Sequence, residues 1–363
     1  MKCAVISLGS TSSEWACKEL GKFFDSVDSL NIKELQVSLD REGWKVFYEG
    51  KEIVTKYDAV FLKGSFRYAV TLRALAHAFA ESSYMPLRPE SFDIGHDKIL
   101  THLVLQKWGV AMPKTYLFSK VASAKKFVET SDYPLIVKIP NGTQGKGVIY
   151  LDSLATATSI LDTLSHLKQP FFIQEYIESS GVDYRLLVIG DEVYGYKRVA
   201  KKGEKRANIH AGATTEKLEI STELKSLAVR TVRAINADIC AVDVIPSTRG
   251  SLVIEVNLSP GLQGITKATG INIASRLAEY IYKKSILFKE QSKKDQPNVL
   301  TDLGIDLSDK TNEEKGKVIS ELEFKGDRIL LPGFVSKIGK FKPCYDYEFD
   351  ISDEQVFIRR ASK

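Results

Sequence analysis

PLIVKIPNGTQGKG, residues 134–147, is an apolar run that carries one lysine, Lys138, and then breaks into a loop with three glycines, Gly142, Gly145 and Gly147. A strand that ends in a flexible, cationic, glycine-bearing loop suits the gripping of a phosphate chain. Glycine lets the backbone reach conformations closed to other residues, and its N–H groups can approach anionic oxygens. A lysine fixed beside the loop supplies a point charge. Taken by itself the segment also reads as a plain turn with Lys138 as a solvated edge-strand charge. The rest of the chain decides between the two.

Around this stretch, strand and helix signals alternate. CAVISLG, WKVFYEG, KEIVTKY and DAVFLKG read as strands, the middle two as a hairpin turned at Glu49-Gly50. SSEWACKELGKFF and a segment from about Tyr68 to Ser82 read as helices. That βα alternation argues for a small parallel sheet flanked by helices. Asp97 caps a helix over KILTHLVLQKWG, which Gly109 closes. Then follow TYLF, a helix from about Ser123 to Glu129, LIVKI, GVIYLD, a helix over 154–167, FFIQEYI, a hairpin turned at Gly190-Asp191, a helix over 222–235, and the strands ICAVDVI and LVIEVNL.

With 363 residues the chain can bury a sizeable core in two or three units. A net charge of +5 is mild and does not by itself argue for nucleic-acid binding. Cys3, Cys17, Cys240 and Cys344 are scattered without CxxC pairing, which disfavours a zinc module and fits a reducing compartment. The start, MKCAVISLGS, reads as a first strand and not a signal peptide, and no apolar stretch is long enough to span a bilayer. A cytoplasmic protein is expected.

Oxygen donors gather late in the chain. Asp243 interrupts ICAVDVI, and Glu255 and Asn257 sit two apart in LVIEVNL. Residues at i and i+2 share a sheet face, and the short turn at 247–250 places Asp243 within about one register step of Glu255. Two carboxylates and a carboxamide form a hard-oxygen site suited to Mg²⁺. A solvated polar face is the bland reading, but the same strands are strongly apolar elsewhere. Lys197, Arg198, Lys201, Lys202, Lys205 and Arg206 crowd the segment before Asn208. Few aromatics interleave and Gly203-Glu204 interrupts the run, so a loop that neutralises a polyphosphate fits better than a nucleic-acid patch. QEYI ends a strand whose backbone could read an adenine edge, with Tyr176 or Ile177 against the ring.

In order and spacing these pieces resemble the ATP-grasp superfamily, and within it the RimK-type α-L-amino-acid ligases. NGTQGKGV (141–148), IQEYI (173–177), RANIH (206–210) and EVNLSPGL (255–262) carry the likeness, which covers about residues 1–285. The resemblance implies an α/β and α+β fold: an N-terminal parallel α/β domain (1–92), a small central lid domain (93–180) and a larger C-terminal α+β domain (181–288), with ATP between the last two. A polar linker (289–320) and a small β-rich extension (321–363) lie beyond; within 286–320 the charged stretches read as partly disordered. Carried over by position, Lys98 and Lys138 contact ATP phosphates and the loop 141–147, with Gly142, Gly145 and Gly147, folds over them. Glu175, Tyr176 and Ile177 hold adenine, and Asp183 the ribose side. Arg206 and Asn208 approach the transferring phosphate, and Asp243, Glu255 and Asn257 bind two Mg²⁺ (or Mn²⁺) ions.

The implied reaction is ATP-dependent. A carboxylate attacks the γ-phosphate, and an amino acid's amine displaces phosphate from the acyl phosphate to give an amide. The implied partners are an amino-acid donor such as glutamate and a carboxylate acceptor on a protein tail, a peptide or a small molecule. Homo-oligomers are common in the family. One departure bears on the donor: where RimK itself resembles N-L-H-R-G-G, this chain reads Asn208-Ile209-His210-Ala211-Gly212-Ala213. The alternative is a non-catalytic ATP- or DNA-binding regulator on the same body. The tail around Arg328, Pro332, Lys342 and Pro343 resembles AbrB-type swapped-hairpin modules, some of which bind DNA. Asp346, Glu348, Asp350, Asp353 and Glu354 disfavour DNA there, and a β-appendage is the preferred reading.

Overall fold

In the computed structural model the described residues are 1–41, 43–140, 147–200, 214–295, 323–325, 328–330, 347–352 and 355–360. By packing they fall into two units, Met1–Leu39 with Gly43–Phe288, and Asp40–Glu42 with Lys289–Lys363.

The first unit opens with β1 (Lys2–Ser7), α1 (Thr11–Leu20), β2 (Ser26–Asn31), β3 (Leu35–Asp40), β4 (Gly43–Tyr48), β5 (Lys51–Glu52), β6 (Ala59–Leu62), α2 (Ala69–Phe79) and α3 (Pro89–His96). Strands β2, β1 and β6 form a parallel sheet in that order, and β3, β4 and β5 a small separate one. The parallel sheet is the expected one, and the turn at Glu49-Gly50 is where the sequence puts it, both residues having positive φ. β2 carries no sequence signal because SVDSLN is an edge strand with only Leu30 buried; its place comes from backbone pairing to β1. The second helix stops at Phe79, short of Ser82.

Next come α4 (Lys98–Lys107), β7 (Thr115–Leu117), α5 (Val121–Glu129), β8 (Leu135–Lys138), β9 (Val148–Leu151), α6 (Leu154–His166) and β10 (Phe172–Glu175). As the sequence predicts, Asp97 caps α4, accepting from the N–H groups of Ile99 and Leu100. The strands make a four-stranded sheet, β7-β10-β8-β9. Its own core joins Val137, Leu151 and Ile173 to Ala124, Val128, Leu161 and Leu164 of the two helices.

Then follow β11 (Val182–Ile189), β12 (Glu192–Val199), β13 (Thr214–Lys217), α7 (Thr222–Ala234), β14 (Ile239–Ser247), β15 (Gly250–Asn257), α8 (Gln263–Thr269) and α9 (Ile273–Asp295). The five strands form one antiparallel sheet, β13-β12-β11-β14-β15. One of its faces shares a core with the N-terminal sheet, where Leu186, Val188, Val242 and Val244 join Ala4, Ile6, Val60 and Leu62. The other face holds Leu187, Ile189 and Ala241 against Ile265, Leu277 and Ile281 of α8 and α9. Helix α9 reaches Asp295, so the start of the stretch read as linker is helical. Its Glu, Gln and Lys residues are good helix formers that simply extend a helix begun in the core. The second unit contains the hairpins β16 (Glu323–Lys325) with β17 (Arg328–Leu330), and β18 (Tyr347–Ser352) with β19 (Gln355–Arg360), in keeping with a β-rich extension. No described helix is long and apolar enough to cross a membrane.

Candidate active site

Strands β14 and β15 bring the late oxygen donors together. Asp243 lies directly opposite Glu255, and Asn257 opposite Ala241, with the register shifting just after Asp243. Such a bulge re-aims neighbouring side chains. On the other side of β14, Arg185 of β11 pairs with Asp243, and Asp183 lies opposite Arg198 of β12. One sheet face thus carries a ladder of alternating charge.

The two carboxylates sit in different surroundings. The Asp243 side chain is 8 % exposed and that of Glu255 47 %. Nε of Arg185 donates to Asp243 Oδ1 at 2.7 Å and its Nη2 to Oδ2 at 2.6 Å. Nη2 of Arg198 adds a 3.0 Å bond to Oδ2. Burial opposes ionisation, yet the guanidiniums of Arg185 and Arg198 hold the Asp243 carboxyl below the ordinary carboxylate range. A carboxylate offers about four acceptor sites, and the described residues use three of those on Asp243, one on Oδ1 and two on Oδ2. Glu255 is open on one side, but the protein beneath it desolvates its carboxyl and raises its pKa, against the pull of Lys98. Asn257 Oδ1 accepts from the Ser259 N–H at 3.0 Å.

Two lysines face this hairpin. Lys98, the first residue of α4, donates to the Pro140 carbonyl at 3.2 Å and lies 3.8 Å from Glu255 Oε1. One side chain therefore bridges the mouth of the glycine loop and the carboxylate hairpin. Lys138 ends β8, and Ile139 N–H donates to the Gly147 carbonyl at 2.8 Å, closing the neck of the loop. Gly147 has φ +83°, a conformation glycine reaches without strain. Gly142, Gly145, Arg206 and Asn208 lie outside the described residues. Burial drives the Lys138 ammonium down to about 8, with Glu255 opposing and Lys98 reinforcing the shift.

Glu175 ends β10. Its Oε1 accepts from the Lys114 N–H at 2.8 Å and from Arg249 Nη2 at 2.6 Å, tying this strand end to the β14–β15 turn. Tyr176 stacks edge-on against Tyr150 at 5.2 Å, and Ile177 is buried. Asp183 is buried against Arg198 Nε and does not join the Lys98–Glu255 pair; burial raises its pKa to about 6, with Arg198 opposing.

Arg198 corrects one expectation. Read as part of a polyphosphate-neutralising loop, it is a buried strand residue of the ladder, while its neighbour Lys197 turns to Glu216 at 3.1 Å. The period-two alternation of YGYKRV could have separated them. The sequence reading also missed Gln174, whose buried amide donates to Thr115 Oγ1 at 2.8 Å and approaches His102 Nε2 at 3.2 Å. His102 in turn bonds through Nδ1 to the Lys98 carbonyl at 2.6 Å, bracing the first turn of α4. Among the described residues no three His, Cys, Asp or Glu side chains form a metal cage. The donor set is instead two carboxylates and one carboxamide, which suits Mg²⁺ because that ion takes few protein ligands.

Residues 95–281 match the RimK-like ATP-grasp domain. A probable alpha-L-glutamate ligase of Mannheimia succiniciproducens is 35 % identical over 257 residues, 69 % of this chain and 86 % of that protein. Among solved structures, the ATP-grasp ligase PsnB, complexed with a phosphomimetic variant of minimal precursor, Mg and ADP, aligns with a TM-score of 0.63 at 17 % identity. The match covers 78 % of this chain and 98 % of PsnB. A RiPP-associated ATP-grasp ligase of Chryseobacterium gregarium, in complex with ADP and a leader and core peptide, aligns with a TM-score of 0.60 at 16 % identity, over 78 % and 97 % of the two chains. At these identities the structural likeness is one of fold.

Proposed function

The chain belongs to the RimK-like ATP-grasp family and is an ATP-dependent ligase, and on that premise we propose that it joins the amine of glutamate or a similar amino acid to a carboxylate on a protein tail, peptide or small molecule. The observation that carries this reading is the bridge made by Lys98, which joins the Pro140 carbonyl, just before the glycine stretch, to Glu255 of the β14–β15 hairpin. The glutamate ligase relative supports the donor, and the peptide-bound neighbours support a peptide acceptor.

In this reading Lys98 and Lys138 hold the ATP phosphates under the 141–147 loop. Glu175, Tyr176 and Ile177 take the adenine, and Asp183 the ribose side. Arg206 and Asn208 approach the transferring phosphate. Asp243, Glu255 and Asn257 hold two divalent ions, Mg²⁺ or Mn²⁺, which supply charge neutralisation for the phosphates. The protein's part is positioning and electrostatics, with no covalent bond to the chain. The same proposal places domain boundaries near 92, 180 and 288, the protein in the cytoplasm, and homo-oligomers as its assembled form.

The test is ADP release with Mg²⁺, ATP and a panel of amino acids and carboxylates. Release that requires both an amine and a carboxylate, with a product heavier by one amino-acid residue, is expected. ATP turnover indifferent to every amine, or none at all, rejects the proposal. Comparing extracts of cells with and without the protein by mass spectrometry then identifies the acceptor.

The Lys138 titration gives a second test. Between about pH 8 and the ordinary lysine value of 10.5, the folded protein binds fewer protons at this site than the unfolded chain does. The burial of Lys138 therefore weakens stability below about pH 8, and that loss is recovered as pH rises. A bound phosphate restores the proton. Nucleotide affinity is expected to fall as pH rises through about 8, with proton uptake on binding near pH 8 to 9. Titration calorimetry in buffers of different ionisation enthalpy measures the uptake. Equal uptake by Lys138→Met would assign it elsewhere.

A further inference from the structure

Just after β6, Lys63 is 7 % exposed, and its described hydrogen bonds go to two successive main-chain carbonyls, Ser259 at 3.0 Å and Pro260 at 2.6 Å. Among the described residues no carboxylate pairs with it, and burial alone shifts its ammonium. A buried ammonium without a carboxylate is costly, and an apolar side chain of similar length would fill the same space. The explanation has to lie in what the two carbonyls belong to.

They belong to the turn that follows Asn257. The Ser259 N–H donates to Asn257 Oδ1 at 3.0 Å, and the Gly64 N–H donates to Ser259 Oγ at 3.0 Å. Thus Lys63 and Gly64, adjacent in the chain, grip one residue through its carbonyl and its hydroxyl, and that residue's N–H sets the carboxamide of Asn257. Leu258 is held from another side. A Cβ placed on Gly95 would lie 2.7 Å from Leu258 Cδ2, so the close approach of α3 depends on that glycine. Further along, the Leu262 N–H donates to Ser12 Oγ at 2.9 Å, and the Ser12 hydroxyl donates to Gln263 Oε1 at 2.7 Å. The whole segment 257–263 is braced by the N-terminal strands and helices.

We propose that Lys63 is a positioning residue for the metal-binding end of β15, holding the Ser259–Pro260 turn so that Asn257 presents its carboxamide alongside Asp243 and Glu255. The inference rests on the assignment of Asn257 as a metal ligand. Burial also brings the Lys63 ammonium down to about 8, which fits a charge retained against its desolvation cost. A lysine that merely filled space predicts that Lys63→Met is silent, because apolar replacement of a buried ionic group is often neutral or stabilising. A positioning lysine predicts a folded protein with a loosened metal site.

The experiment is equilibrium binding of Mn²⁺, read by electron paramagnetic resonance in the presence of ADP, on the full-length chain. The variants are Lys63→Met, Lys63→Gln, Lys63→Arg and Ser259→Ala, each checked by thermal melting. Lys63→Met is expected to weaken Mn²⁺ binding by about ten- to a hundredfold, the usual effect of removing a group that orients a ligand. Ser259→Ala should give a smaller loss, and Lys63→Arg should keep most of the affinity. Wild-type affinity in folded Lys63→Met overturns the proposal. If Lys63→Met does not fold, wild-type affinity in a folded Lys63→Gln, whose shorter amide cannot span both carbonyls, overturns it instead. A wild-type protein with no Mn²⁺ site removes the functional reading and this proposal together, whereas equal affinities across the variants remove this one alone.

Discussion

Glu255→Ala is expected to lower amine-dependent ADP release on the order of a thousandfold, the scale seen when a charged group is taken from a phosphoryl-transfer centre, while the melting temperature stays close to wild type. The asymmetry follows from the surroundings of the carboxylate. Glu255 is 47 % exposed and its nearest cation, Lys98, is 3.8 Å away. A pair with that exposure contributes at most about 1 kcal/mol to stability. Its removal leaves Lys98 bonded to the Pro140 carbonyl, and the buried Lys138 loses an opposing charge but no hydrogen bond or ion pair described for it. Loss of rate with retained stability separates a ligand from a structural residue. Wild-type turnover by the folded variant would exclude Glu255 from the chemistry.

Asp243→Ala, one ladder step away, is expected to behave differently. It should lose about 3–5 kcal/mol of stability together with activity, the cost of removing one partner from a buried ion cluster. Arg185 and Arg198 both bond its carboxylate, and their side chains are 22 % and 8 % exposed. Without Asp243, Arg198 keeps Asp183, but Arg185 loses the two bonds of its fork. Urea unfolding of the variant measures the loss. A midpoint equal to that of wild type would mean that the guanidiniums find solvent or other partners, and that the ladder is not a source of stability. The two variants together show that residues directly opposite in one hairpin divide the labour: Asp243 is held rigid by arginines, and Glu255 faces the open side.

Much of this site was readable along the chain. The glycine stretch 141–146 lies outside the described residues, but the N-cap at Asp97 before Lys98 and the Asp243–Glu255 pairing depend on residues close in sequence or on one tight turn. Period-two alternation and a connection of fixed length leave little freedom for the last of these. Arg198 was misplaced because a run of basic residues looks like a loop until its alternate members are assigned to opposite sheet faces. β2 was missed because an edge strand with one buried residue carries no apolar pattern. The first residues of the stretch read as linker, 289–295, continue helix α9, because polarity in a helix anchored elsewhere does not end it.

Local patterns of glycine, charge and apolar alternation were enough to give the family, the parallel sheet at the N-terminus, and the pairing of two carboxylates across β14 and β15. Which charges meet is set by tertiary packing. Lys63 and Ser259 are 196 residues apart, and Arg185 and Asp243 are 58 apart. Local periodicity fixes the face on which a side chain stands but not its partner, so whether Asp243 is neutralised by arginines, and whether Lys63 reaches a carbonyl or water, follows from how the sheets and the loops between them close on one another.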